Sequence, residues 1–149
     1  MAVPRYMGVT RDVVPSGPVP TSFEQALPVE AGSVREAQRL GAGICGSWHL
    51  SRLSCDDIQL VISELAANAV RHGATGMMLL RVLMTARCVR VELCENSPGA
   101  PVVRQPHAEA ESGRGMWLVS ALAVSWGVQP HAIGKTTWAE VAVEPAAAS

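Results

Sequence analysis

Apolar residues recur at helical spacing in two early stretches. Val34, Ala37, Gly41, Ile44, Cys45 and Trp48 follow one stripe. Ser33, with Glu36 three residues on, fits a capping box, so a first helix is predicted over about 33–48. A second and clearer stripe runs through Ile58, Val61, Ile62, Leu65, Ala66, Ala69 and Val70. It is predicted to open near Ser54, with Asp56 and Asp57 in the first turn at the positive end of the helix dipole. Gly73 ends it. Met77 to Met84 then reads as a strand with both faces largely covered. Thr85-Ala86-Arg87 makes a short turn. Val89, Val91 and Leu93 alternate with Arg90, Glu92 and Cys94, as in a half-buried strand. Asn96-Ser97-Pro98-Gly99 breaks that hairpin, and a polar loop runs on to about Gly113. From Gly115 a third helix is predicted to carry Val119, Leu122, Ala123 and Trp126, with Gly127 as its stop. A last hairpin turns near Gly134-Lys135 and sets Thr137, Ala139, Val141 and Val143 on one face. Phe23 to Leu27 adds an edge strand. Helices and hairpins segregate along the chain. The fold class this implies is α+β: a two-layer sandwich in which a mixed, mostly antiparallel sheet carries helices on one face.

Composition narrows the picture. The 149 residues are 48% hydrophobic, enough for one domain with its own core. Pro4, Pro15, Pro18 and Pro20, with Gly8 and Gly17, mark residues 1–20 as a tail. Residues 145–149 read as a second, short tail, which leaves a domain over 21–144. Twelve basic and 13 acidic residues give a net charge of -1, without the basic excess of a nucleic-acid binder. No run approaches the ~18 apolar residues of a membrane span. The N-terminus lacks a charged start followed by an apolar block, so the chain is read as cytoplasmic. Cys45, Cys55, Cys88 and Cys94 form no C-x-x-C pair and signal no zinc or redox site. Cys45 and His49 fall one turn apart, without two further ligands. Trp48, Trp117, Trp126 and Trp138 are assigned to packing.

Three places could carry chemistry. On the second helix Glu64 and Asn68 stand four apart and are read as neighbours on a polar face opposite the apolar stripe, with Arg71 and His72 one turn on. Asn is a poor helix-interior residue, because its amide competes for the backbone. By spacing alone this is either a solvated face or a metal–nucleotide site. In the second case the Asn68 oxygen is a hard ligand suited to Mg²⁺, and Glu64 is a general base. Next comes Glu95, at a strand end before a tight turn: either a turn residue or an acceptor for an exocyclic amine. Last is Ser112-Gly113-Arg114-Gly115, set before a helix. It is either a flexible loop or a phosphate cradle in which the glycines admit phosphate, the helix start offers free N–H groups, and Arg114 adds charge. Gly134-Lys135-Thr136 imitates the end of a P-loop. It lacks the earlier Gly, where Gln129 stands, and a strand pattern rather than a helix follows it.

Taken together, Val61-Ile62-Ser63-Glu64-Leu65-Ala66-Ala67-Asn68-Ala69-Val70-Arg71-His72-Gly73 resembles the N-box of the GHKL (Bergerat-fold) ATPases. The similarity is greatest to the anti-sigma-factor serine/threonine kinase branch, which carries Glu-Leu-x-x-Asn-Ala-x-x-His here. Glu95 to Pro98 falls at that family's adenine-reading turn, Gly113-Arg114-Gly115 at its phosphate lid, and Gly134 to Trp138 at its closing strand. The resemblance covers about residues 21–144 and implies the histidine-kinase-like ATPase fold. It implies Glu64 as general base and Asn68 as Mg²⁺ ligand. It places ATP contacts at His72, at Glu95, Ser97 and Gly99 around the base, and at Gly113, Arg114, Gly115 and Met116 around the phosphates, with Thr136 behind the base. It implies transfer of the ATP γ-phosphate to a serine of an anti-anti-sigma partner, sequestration of a sigma factor, and a homodimer. Glu95 stands where the family has Asp, Ser97 where the wider superfamily favours Gly, and Glu111 where some kinases have Arg. These departures define the alternative, a catalytically weak or inactive module that sequesters a sigma factor or another regulator.

Overall fold

The computed structural model describes residues 21–96 and 111–147 and, from 111 to 115, the backbone alone. The elements are β1 (Ser22–Pro28), α1 (Ala31–Ser47), α2 (Arg52–Arg71), β2 (Thr75–Met84), β3 (Cys88–Asn96), α3 (Glu111–Leu122), β4 (Ser125–Pro130) and β5 (Gly134–Ala142). The five strands form one sheet in the order β1-β2-β3-β5-β4, and every pairing is antiparallel. The mostly antiparallel sheet inferred from the sequence is thus antiparallel throughout the described residues. β1 is an edge strand, as its short alternating segment suggested.

Period two decides which side of the sheet is covered. Phe23 and Leu27, then Met78, Leu80 and Val82, then Val89, Val91 and Leu93, then Ala139 and Val141 are buried, while their chain neighbours are half-exposed or exposed. The helices lie on that side. Ala37, Ile44 and Cys45 of α1, the stripe from Ile58 to Ala69 on α2, and Val119 of α3 complete the core. β2 is therefore covered on one face, not both. Arg81 sits on its other face, paired with Glu24 at 2.7 Å and Glu92 at 3.2 Å. That open face also holds Trp138, with the Arg90 guanidinium 4.1 Å from its ring centroid.

Helix ends differ from the sequence expectation in instructive ways. Glu30, not Ser33, precedes α1, and it makes no side-chain cap bond. Ser33 is buried inside the helix, so the capping box is not formed. α2 begins earlier than expected because Ser51 is the cap: its Oγ accepts the Ser54 N–H at 3.1 Å. Glu144 reinforces this start. Its carbonyl accepts the Ser51 N–H at 2.8 Å, and its N–H donates to Ser54 Oγ at 2.9 Å. Asp56 and Asp57 consequently lie beyond the first turn. Gly73 does stop α2, with φ of 75°. Ala74 N–H bonds Ala69 O and Gly73 N–H bonds Val70 O, the two bonds of a Schellman motif.

α3 departs most. It starts at Glu111, not at Gly115, and ends at Leu122, before Trp126. Val124 N–H already bonds Glu140 O, which draws the chain into β4. Trp126 faces Ala139 from a strand and packs on the core, and Gly127 lies within β4 against the Trp138 ring. Trp117 is 58% exposed, so it is not a core residue. At the other end of the domain, Pro145 bridges Leu50 and Ala146 N–H bonds His49 O at 2.8 Å.

Candidate functional site

The α2 stripe carries the first part of the site. At ~100° per residue, Asn68 falls at the margin of the buried arc that includes Val61 and Leu65. It is 8% exposed. Asn68 therefore flanks the core stripe instead of lying on a polar face opposite it, and Glu64 stands one turn away on the half-exposed border. Glu64 Oε2 is 3.9 Å from Arg71 Nη2, a long and partly solvated pair. His72 is the C-cap residue of α2 and is exposed. No side-chain hydrogen bond among the described residues engages the Asn68 amide. The residue is held in place by burial while its amide keeps its bonding capacity for a ligand.

The sheet supplies the second part. Across β3 and β5 the helix-facing pairs are Val89–Val141, Val91–Ala139, Leu93–Thr137 and Glu95–Lys135. The apolar row thus ends in two charged side chains directly opposite each other. Lys135 Nζ lies 3.4 Å from Glu95 Oε1, and the two side chains are 10% and 2% exposed. The distance suits a charge pair, but neither Glu95 oxygen has a hydrogen-bond partner among the described residues. Burial raises the Glu95 carboxyl above its ordinary range, and Lys135 pulls it partly back. Gly134 sits where a Cβ would run into the Glu95 carbonyl and come within 2.8 Å of Asn96 Cα. Only a glycine lets β5 approach the end of β3 this closely.

Lys135 and Thr137 were not among the residues singled out from the sequence, although the signal was present. Thr137, Ala139 and Val141 share one face by alternation, so Thr136 must point to the other. It does: Thr136 opposes Cys94, and its Oγ1 is 2.6 Å from His131 Nε2. Thr136 thus lies on the face away from the helices, and Thr137, 4% exposed, on the helix side with Glu95 and Lys135.

The residues expected around the base and the phosphates divide. Ser97 and Gly99 lie outside the described residues. Gly113, Arg114 and Gly115 lie within α3, not before it. A helix leaves its first four N–H groups free. Gly113 is among those four, whereas Gly115 and Met116 are past them. The Met116 side chain packs against the core. Helix propensity disfavours two glycines here by about 1 kcal/mol each. The packing of α3 on α2 overrides that preference.

Among the described residues no three His, Cys, Asp or Glu side chains cluster as a metal cage. No described helix is long and apolar enough to cross a membrane. What the residues do offer is the amide of the largely buried Asn68 one helical turn from the half-exposed Glu64 carboxylate. That donor set fits Mg²⁺, which keeps waters and phosphate oxygens in its octahedron and needs few protein ligands.

A family model described as the histidine kinase-like ATPase domain matches residues 27–140. No curated protein matches the sequence. Among solved structures, the chain is similar to the RsbU and RsbW domains of Rv1364c from Mycobacterium tuberculosis, with a TM-score of 0.66 and 18% identity over 87% of this chain. It is also similar to the histidine kinase domain of a blue-light activated histidine kinase from Erythrobacter litoralis, with a TM-score of 0.51 and 18% identity over 78% of this chain. The chain spans 34% of the first structure and 62% of the second. At such identity the likeness is one of fold.

Proposed function

The chain belongs to the histidine kinase-like ATPase domain family, and on that premise we propose that it is an ATP- and Mg²⁺-dependent serine/threonine protein kinase acting on an anti-anti-sigma partner and controlling a sigma factor. The observation that carries the reading is the pairing on α2 of the largely buried Asn68, whose amide has no partner among the described residues, with the half-exposed Glu64 carboxylate one turn away. Asn68 would hold the metal, and bound Mg²⁺ would neutralise charge on the transferring phosphoryl group. Glu64 would orient the incoming serine hydroxyl and accept its proton as oxygen attacks the γ-phosphorus, while the bond to the bridging oxygen breaks and ADP departs. Glu95 and Thr137 would face the base. The partner and the homodimer rest on the sequence resemblance to the anti-sigma kinase branch.

Purified protein should unfold at a higher temperature with Mg-ATP, since a ligand that binds only the folded state stabilises it by about 2.7 kcal/mol at a hundred times its Kd. Glu64→Ala should keep that shift and lose phosphoryl transfer. Asn68→Ala should lose the Mg²⁺-dependent part of the shift. Absence of any shift at millimolar ATP would overturn the proposal. A second reading, a binding module without turnover, is favoured by one observation: Glu95 is held by Lys135 instead of standing free for a base. Such a module would retain its partner equally with and without ATP, and a pull-down that required ATP would exclude it.

A further inference from the structure

The two oxygens of Glu95 are shut from solvent, and neither is hydrogen-bonded among the described residues. Lys135 Nζ stands 3.4 Å from one of them, held by register on the facing strand. Together they form a three-point pattern of two acceptors and one donor. A buried acceptor without a donor is costly, and a ligand that supplies the donor recovers that cost. A buried carboxylate can take two parallel N–H bonds.

The pairing edges of the purines answer this pattern differently. Adenine presents one amine donor and one ring-nitrogen acceptor. That satisfies a single carboxylate oxygen and Lys135. Guanine presents two adjacent donors, N1–H and the N2 amine, beside the O6 acceptor. That satisfies both oxygens and the ammonium together. The additional methylene of Glu over Asp extends the reach of the carboxylate toward such an edge. We infer that the Glu95–Lys135 pair lets this site take guanine nucleotides as well as ATP. The inference rests on the nucleotide-binding reading above and deepens it by naming the base.

The alternative is an ion pair that merely closes the end of the core row. Displacement of a fluorescent ATP analogue from the full chain in Mg²⁺ separates the two. GTP should displace the analogue within about tenfold of the ATP midpoint, because a site built for a donor edge penalises bases that lack it. ITP, which lacks the N2 amine, should be weaker than GTP, and CTP weaker still. Glu95→Gln turns one acceptor into a donor facing guanine's own donors, so the GTP-to-ATP affinity ratio should fall by more than about tenfold. The nucleotide series on the unmodified chain stands even if that variant misfolds. Displacement by ATP but not by a hundredfold excess of GTP would overturn the inference while leaving ATP binding intact. Equal loss of both nucleotides in Glu95→Gln would also overturn it. Displacement by no nucleotide at all would overturn it together with the reading on which it rests.

Discussion

Lys135→Met leaves the Glu95 carboxylate buried beside an apolar side chain of similar length. Two unit charges at the observed 3.4 Å attract by ~5 kcal/mol at an effective dielectric of about 20. Part of that attraction offsets the desolvation of both groups, so the pair itself adds little net stability. Removing one partner is different, because the other charge stays buried without compensation; such losses run to about 3–5 kcal/mol. At about 2–4 °C per kcal/mol for a domain of this size, Tm should fall by ~10 °C. The loss should depend on pH. Burial already raises the Glu95 carboxyl, with Lys135 opposing. A raised value means that the folded state binds the proton more tightly than the unfolded chain does. The stability so contributed is fully present below the ordinary carboxylate range and is lost as pH rises through the folded value. Without Lys135 that value rises further. The deficit of Lys135→Met should therefore be largest near neutrality and shrink toward acid, as Glu95 takes up its proton. Urea unfolding of the variant and the parent at about pH 7 and about pH 5 reads this directly. Equal stability near pH 7, or a deficit that does not change with pH, would refute the argument that Glu95 is a charge held by Lys135.

Three further outcomes follow from the packing. Gly134→Ala should cost about 1–3 kcal/mol by overpacking against the β3 backbone, and should weaken nucleotide binding because Glu95 shifts with it; a thermal scan and the displacement assay check both effects. Ser51→Ala should cost about 0.5–2 kcal/mol in urea unfolding through loss of the α2 cap, whereas the same change at Ser33 should not remove a cap. The Cys45 thiol, pushed up to about 12 chiefly by burial and then by Cys55, should resist alkylation near pH 8 until the chain unfolds, as peptide mapping would reveal.

Much of this architecture was legible in one dimension. The α2 stripe, the alternation in β3 and β5, and the Gly73 stop are local periodicities, and a local pattern survives because each residue's face depends only on its distance along the element. Parity likewise separates Thr136 from Thr137, since neighbours on a strand point to opposite faces. The family resemblance on α2 was likewise contiguous in sequence and therefore visible.

Other features come from contacts between distant segments. Ser51 rather than Ser54 caps α2 because the Glu144 backbone reaches across to fix that turn. Trp126 left the predicted helix because pairing with β5 recruited it to a strand. Asn68 is buried because a helix margin becomes interior once its neighbours cover it. The meeting of Glu95 with Lys135 depends on the register of two strands separated by a helix and another strand. Periodicity along a chain says which way a side chain points. What it meets there is decided by the packing of elements whose contacts no local pattern encodes.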